Sequence, residues 1–244
     1  MHILPAVDIR GGLCVNLVQG KYEEETVFAQ DPVEQAITWH TLGGRLVHIV
    51  DLDGAKAGRC CALPQLKALS DAGVPYEIGG GIRNMETVEA VVGLGAERVI
   101  LGTAAHRDPN FLTEAVAAFP NQIVVGLDAR DGKVALSGWL STTDTDAVDF
   151  AKQVEQAGAS RIIYTDILSD GMMKGPNGPA TQAVAEAVDI PVTASGGISS
   201  LDDIRALTGL ESSGVDEAIV GRALYLERFS VPEALAVAAG ETED

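Results

Sequence analysis

Two aspartates occupy positions at which a carboxylate could do chemistry. Asp8 ends a short apolar run near the start of the sequence, and Asp128 ends a similar run near its middle. A carboxylate at the end of a barrel strand is more often catalytic than structural. Two carboxylates in different environments can divide general acid and general base work. We therefore expect Asp8 and Asp128 to move protons on a bound substrate.

Turns that contain glycine follow four other apolar runs and predict phosphate binding. They form two matched sets, Gly80-Gly81 with Gly102-Thr103, and Gly196-Gly197 with Gly221-Arg222. Glycine lets backbone N–H groups approach an anion, and a following helix adds its positive end. A lone Gly-Gly would more simply make a tight turn, but four such turns in two sets favour two phosphate sites. Such a mouth suits a long substrate with a phosphate at each end.

The elements that must position these residues alternate along the whole chain. Predicted strands cover residues 3–8, 46–51, 76–79, 98–101, 123–128, 161–165, 192–194 and 218–220. Predicted helices cover residues 32–42, 62–72, 85–94, 109–119, 146–157, 179–188, 201–207 and 231–239. Eight βα units without a linker predict one closed (β/α)8 TIM barrel, a single catalytic domain over residues 1–244.

The two halves of the chain resemble each other. Residues 79–84 align with 195–200, residues 100–104 with 219–223, residues 47–51 with 162–166, and Asp8 with Asp128. A repeat of this length predicts two half-barrels, about 1–120 and 121–244, whose equivalent loops face each other across the mouth.

Two longer segments, 11–30 and 131–145, follow the first and fifth predicted strands. Long loops in compact domains are usually functional or mobile, and these two belong on the catalytic rim. Residues 133–136 could form half of a small hairpin. Trp139 lies in the second segment, where stacking on a planar heterocycle is a better interpretation than core packing.

The composition of the chain limits the kinds of molecule that it can bind. A formal net charge of −18 disfavours nucleic acid, so a bound phosphate must be held by backbone N–H groups and a few arginines. No apolar run is long enough to span a bilayer, and we expect no signal peptide before Asp8. The three cysteines include no C-x-x-C pair, and no cluster has metal-ligand spacing. We expect a cytoplasmic monomer without a metal.

An ordered set of motifs carries a family resemblance. The motifs are LPAVD (4–8), VDLDGA (50–55), GGGIR (79–83), GLDAR (126–130), SGW (137–139), TDI (165–167), DG (170–171), ASGG (194–197) and VGRA (220–223). With these, the chain closely resembles the phosphoribosylformimino-5-aminoimidazole carboxamide ribotide isomerases of histidine biosynthesis, over residues 3 to about 239.

The resemblance implies a cofactor-free barrel that performs an Amadori rearrangement of an aminoaldose to an aminoketose. The substrate of that family carries two phosphoribosyl groups. By resemblance, Asp8 is the base and Asp128 the acid. Thr165 and Asp170 resemble polar supports, and Trp139 a group that stacks on the substrate.

Three alternatives stay open at this stage. The sister imidazole glycerol phosphate synthase cyclase typically has Cys before the first aspartate and Lys at position 16, whereas this chain has Val7 and Asn16. A barrel that only senses a phosphorylated metabolite would be expected to lack one of the two aspartates.

The third alternative is a bifunctional isomerase that also acts on phosphoribosylanthranilate. Such relatives typically carry Ser-Gly-Gly-Ile-Arg after the third strand and Arg in the first loop. Here Gly79 and Asn16 stand at those places. The family usually has Arg or Lys at position 16 and Thr-Leu where Met172-Met173 follows Gly171, and Arg10, Lys21 or Arg83 could supply the missing charge.

Overall fold

The structure, a computed structural model, describes residues 1–241. Its centre is a closed parallel barrel of eight strands, numbered here first to eighth in chain order: His2–Arg10, Val47–Asp51, Tyr76–Gly79, Arg98–Leu101, Ile123–Arg130, Arg161–Asp166, Val192–Ser195 and Val215–Val220. Each strand pairs with the next, and the eighth pairs with the first. The predicted TIM barrel is confirmed.

Helices lie between the barrel strands, as the sequence predicts. The long ones are Pro32–Thr41, Leu63–Asp71, Met85–Gly93, Pro109–Ala118, Ala147–Gln156, Gly178–Ala185, Leu201–Thr208 and Val231–Ala238. Capping explains several of their start points: Asp31 accepts two backbone N–H groups, and Ser200 and Ser230 form capping boxes. None of the helices within residues 1–241 is both long and apolar enough to cross a membrane.

Short elements that the sequence did not predict extend the loops. The α-helices Leu52–Ala57, Thr103–Arg107 and Arg222–Tyr225 follow barrel strands, and the 3₁₀ helix Glu211–Ser213 precedes the eighth strand. Two of them, Thr103–Arg107 and Arg222–Tyr225, begin directly after the fourth and eighth barrel strands. They therefore lie at the carboxyl-terminal mouth, where barrel enzymes carry their sites.

Buried apolar side chains form two layers. A large layer joins the outer faces of the strands to the helices, and a small one fills the barrel interior with Leu4, Ala6, Leu46, Ile100, Val124, Ile163 and Ile219. These aliphatic residues suit strands that are buried on both faces. The interior is thus packed below the mouth, and only the upper end is open to a ligand.

Antiparallel hairpins extend from the first and fifth strands. Leu13–Val18 and Lys21–Ala29 form the first, and Lys133–Leu136 and Ser141–Asp146 form the second. The strand over 133–136 was predicted, but the other three were not. Lys21–Ala29 and Ser141–Asp146 are largely exposed and polar, so they lack the apolar alternation by which a strand is detected.

Candidate active site

A cavity of about 280 Å³ opens at the carboxyl ends of the barrel strands. All of the site residues predicted from the sequence line it: Asp8, Asp128, Gly80, Gly81, Gly102, Thr103, Trp139, Thr165, Asp170, Gly196, Gly197, Gly221 and Arg222. The structure therefore brings together residues that are more than 200 positions apart in the chain. Their roles remain to be argued from their surroundings.

The two aspartates lie opposite each other in the barrel mouth. The sequence predicted that they are the last residues of their strands. In the structure both strands continue for two further residues into the hairpins. Burial raises the pKa of Asp8 to about 6, while His48 and Asn16 oppose the rise. Burial also raises the pKa of Asp128, opposed by hydrogen bonds from Trp139 and Thr165 and by His48. Burial thus favours the protonated form of both groups, and Asp8 changes protonation state near pH 6.

Asp170, from the loop after the sixth strand, is a third carboxyl in the same cavity. Burial and the nearby charges of Asp8 and Asp128 raise its pKa to about 7, and Arg222 opposes this. Three carboxyls that share one low-dielectric site do not all ionise together. Asp170 can therefore hold a proton at neutral pH, in addition to the role of polar support that the resemblance implies.

Two other strand-end aspartates serve as anchors for the loops. Asp51 accepts hydrogen bonds from the backbone N–H groups of Gly54, at 2.7 Å, and Ala62, at 2.9 Å. Asp166 accepts from Ser169 N and from the Asn177 amide. Neither lines the cavity. Their oxygens are therefore committed to loop structure, and Asp51 is a poor substitute for Asp8 or Asp128.

The glycine doublets are required by the fold itself. Gly80 and Gly81 have φ values of +106° and +76°, and Gly196 and Gly197 have +93° and +85°. A Cβ at Gly80 or Gly81 would collide with the backbone of the preceding βα loop, and one at Gly197 would collide with Gly175. The helices that follow are already capped by side chains of Asn84 and Ser200. The sequence-based reason for these glycines, close approach to a phosphate, is therefore incomplete.

Gly102 and Gly221 have the opposite character. Their φ values are negative, and an added Cβ would meet no atom closer than 3.9 Å and 3.5 Å, respectively. Each is the N-cap of a short helix that has no side-chain cap, Thr103–Arg107 or Arg222–Tyr225. Uncapped first-turn N–H groups favour anions. These two helix starts, on opposite sides of the mouth, are therefore the positions where we expect phosphates to bind.

Substituting alanine at the two helix starts tests this assignment. Gly102→Ala and Gly221→Ala should each raise the KM for a bis-phosphorylated substrate about ten- to a hundredfold, since a charge-assisted hydrogen bond is worth roughly 1.5–3 kcal/mol. Gly93→Ala is the matched control, because its Cβ also meets open space and it lies outside the cavity. Steady-state kinetics and inorganic phosphate titration measure the effect. An unchanged KM in both variants would move the phosphates elsewhere.

Rim loops cover the cavity from above. The tip of the first hairpin reaches the fifth-strand loop, where a Cβ at Gly20 would overlap the Trp139 ring, and the Gln19 amide donates to Leu168 O at 3.3 Å. The Ser137 N–H donates to Thr103 Oγ1 at 2.8 Å, which ties the fifth loop to the fourth strand. Trp139 is therefore held over the cavity, a position suited to stacking on a ligand.

The basic side chains that could replace a charge at position 16 already have other partners. Arg10 pairs with Glu25, and Lys21 pairs with Glu24 at 2.9 Å. Arg83 lines the cavity but donates to Ala55 O at 2.9 Å. Arg222, which follows the eighth strand, donates to Asn16 Oδ1 at 3.5 Å. Arg222 thus contacts Asn16 directly, although the sequence did not suggest it as a substitute for the missing charge.

Several cavity residues had no predicted place in the site. Tyr22, His48 and Met173 line the cavity together with Asn16. The Tyr22 hydroxyl donates to Leu52 O at 3.1 Å, so the first hairpin is bonded to the second-strand loop. The His48 ring contacts Glu77. Met173 lies in an irregular loop and Tyr22 in a mostly exposed hairpin strand, and in neither place does an apolar alternation mark which side faces a ligand.

The fold and the site together define a class of protein, a (β/α)8 barrel whose mouth brings together three buried carboxyls and two glycine-preceded helix starts. The family described as "Histidine biosynthesis protein" matches residues 2–230, and the chain belongs to that family.

Curated relatives match over almost the whole chain. A protein from Geobacter sp. (strain M21) is 51% identical over 97% of this chain and 98% of its own length. One from Xanthobacter autotrophicus is 52% identical over 98% of each chain. One from Syntrophotalea carbinolica is 48% identical over 99% of this chain and 100% of its own. Each is named a 1-(5-phosphoribosyl)-5-((5-phosphoribosylamino)methylideneamino)imidazole-4-carboxamide isomerase.

Proposed function

We propose that the chain catalyses the Amadori rearrangement of that imidazole-4-carboxamide aminoaldose to its aminoketose, as a step of histidine biosynthesis. The observation that carries the proposal is the pair of uncapped, glycine-preceded helices on opposite sides of a mouth that contains Asp8 and Asp128. A substrate with a phosphate at each end fits this arrangement, because its reacting ribose can lie between the two anion sites. The names of relatives about 50% identical to the chain support the same reaction.

The proposed reaction opens one ribose by acid catalysis and then moves a proton from C2 to C1. Asp128, protonated, donates to the ring oxygen as the C1–O bond breaks, and the ring opens to a C1 iminium. Asp8, ionised, removes the proton from C2, giving an enolamine. Asp8 then returns a proton to C1, and the C2 hydroxyl releases its proton as it becomes the ketone, which replaces the proton that Asp128 gave, so that the product is an isomer of the substrate. Burial raises the pKa of both carboxyls, which favours a proton on the donor, while a pKa of about 6 leaves Asp8 mostly ionised at neutral pH.

Substrate positioning falls to the loops. Trp139 stacks on the imidazole carboxamide, and Thr165 orients Asp128 through its hydrogen bond. Asp170 and Arg222 contact the substrate from the loops after the sixth and eighth strands. Asp8 and Asp128 are then left to act on the reacting ribose, while the phosphates at the two ends of the substrate supply binding energy.

A direct assay separates this proposal from its rivals. Purified protein incubated with the aminoaldose should produce the aminoketose, followed spectroscopically, while Asp8→Asn serves as the inactive control. The cyclase alternative predicts instead that the ketose is consumed when an ammonium salt is added. A metabolite-sensing barrel predicts that the aminoaldose binds and is not turned over.

Specificity for histidine synthesis is a further prediction. The gene should rescue a histidine auxotroph that lacks this isomerase and fail to rescue a tryptophan auxotroph that lacks phosphoribosylanthranilate isomerase. The anthranilate carboxylate needs a cation, and Arg83 is already bonded to Ala55 O while position 16 is Asn. Asn16→Arg is the matched variant, and it should improve growth of the second strain. Robust growth of that strain with the unmodified gene would contradict the prediction.

We further propose that the enzyme works as a cytoplasmic monomer. Both aspartates and both anion sites are contributed by one chain, so the site is complete without a partner copy. Cys14, Cys60 and Cys61 are all free thiols, which suits a reducing compartment.

A further inference from the structure

A buried histidine and glutamate lie side by side beneath the two aspartates. His48 and Glu77 occupy paired positions on the second and third strands. The His48 Nδ1 atom lies 2.6 Å from Glu77 Oε1, and Glu77 is completely buried. His48 also lines the cavity. Since Nδ1 faces Glu77, the other ring nitrogen, Nε2, is turned away from Glu77.

Glu77 belongs to a charged group that extends to the closed end of the barrel. Arg98 lies 3.4 Å from Glu77 and forms two hydrogen bonds to Glu217, at 2.7 and 2.8 Å. Arg161 then contacts Glu217, at 3.2 Å, and Asp216. The two arginines lower the pKa of Glu217 although burial opposes this.

Glu77 is the carboxylate of this group that lies against His48. Glu217 contacts both guanidiniums, and Asp216, whose side chain is 46% exposed, pairs with Arg161. Buried charges are tolerated when they are paired. Since Glu77 is fully buried against Nδ1, a proton on the His48 ring gives this carboxylate a paired charge, and that charge would act on the two aspartates above.

We propose that Glu77 is a positioning residue of the isomerase: it fixes the His48 ring and its proton, and through that ring sets the charge environment of Asp8 and Asp128. The inference rests on the proposed function for its kinetic readout. Nothing in it requires Glu77 to touch the substrate.

The other groups facing the two aspartates do not reproduce this effect. Asp8 also faces Asn16, which is neutral, and Asp170, Cys14 and Tyr225, none of which brings a positive charge. Asp128 faces Trp139, Thr165 and Asp170. Arg222 acts on Asp170. His48 is therefore the group shared by both aspartates that favours their ionised forms.

The kinetic test compares Glu77→Gln, His48→Gln and the control Glu217→Gln. Loss of the cation leaves Asp8 harder to ionise, so the acidic limb of kcat/KM should move to higher pH. We expect about one pH unit in the first two variants, since a neighbouring opposite charge lowers a carboxyl pKa by roughly one to three. Glu217→Gln removes a charge from the same buried group without touching His48, so its limb should stay in place. The double variant His48→Gln/Glu77→Gln should shift no further than His48→Gln alone.

A second readout does not depend on activity. Long-range ¹H–¹⁵N spectra of the ring nitrogens, with the His48 signal assigned by its loss in His48→Gln, should show a protonated Nδ1. The His48 ring shifts should change in Glu77→Gln and persist in Glu217→Gln. Unmoved ring shifts and an unmoved acidic limb in folded Glu77→Gln overturn the inference, and so does an equal limb shift in Glu217→Gln. If the protein does not turn over the aminoaldose but the ring shifts follow this pattern, the proposed function fails and the His48–Glu77 arrangement stands.

Discussion

Replacing Asp8 by Asn is expected to lower kcat by roughly 10²–10⁴-fold, the usual contribution of a general base. The substitution keeps the size and shape of the side chain but removes the lone pair that takes the C2 proton. The phosphate sites at Gly102 and Gly221 are untouched, so the Kd of the substrate should change little. Stopped-assay turnover and a binding titration together test the expectation.

The role of Asp8 as a base also predicts how the activity of the unmodified enzyme depends on pH. Asp8 must be ionised to act as a base, and burial raises its pKa to about 6. The value of kcat/KM should therefore fall as the pH decreases through about 6. In Asp8→Asn this limb should disappear from the residual activity.

The raised pKa of Asp8 also predicts that Asp8→Asn does not destabilise the folded protein above pH 6. A carboxyl whose folded-state pKa is raised favours folding when protonated, and that contribution is lost as the pH rises through about 6. At pH 8 the Asp8→Asn protein should thus have a Tm no lower than the unmodified protein. A lower Tm together with lost activity would assign Asp8 a structural role instead.

The barrel could be predicted because each strand is buried on both faces. Short aliphatic runs separated by capped helices leave few alternatives, and the eighth pairing follows once the first seven are in order. The two-stranded extensions escaped prediction for the converse reason. Lys21–Ala29 carries three consecutive glutamates and is mostly exposed, so its strand conformation depends on pairing with Leu13–Val18 rather than on its own pattern.

The site was harder to predict because the sequence does not show which contacts a residue already has. Asp51, Asp166 and Asp8 all lie at or near strand ends, yet the first two are committed to loop amides that are three or more residues away. Similarly, glycine at positions 80 and 81 avoids a clash with the backbone of the second-strand loop, whereas the space beside Gly102 is open to a ligand. Only the folded chain separates these cases, since the deciding atoms come from other strands.

Replacing Asp128 by Asn should likewise lower turnover of the aminoaldose by roughly 10²–10⁴-fold, because the ring oxygen then leaves without a proton donor. The aminoketose offers a finer test. Its carbon chain is already open, so removal of its C1 proton to form the enolamine does not need the ring-opening acid. In D₂O, Asp128→Asn should still exchange deuterium into C1 of the ketose, and Asp8→Asn should not.

The deuterium experiment also decides between Asp128 and Asp170 as the acid. Asp170 has its pKa raised to about 7 by burial and by the two other aspartates, so its protonation state suits a donor. Asp128 faces Trp139 and Thr165, whose hydrogen bonds favour its ionised form, although burial keeps its pKa raised. If Asp170→Asn loses turnover but retains exchange, while Asp128→Asn keeps near-normal turnover, the acid role passes to Asp170. If Asp170→Asn changes mainly the KM, Asp170 supports the substrate beside Arg222, and Asp128 remains the donor that opens the ring.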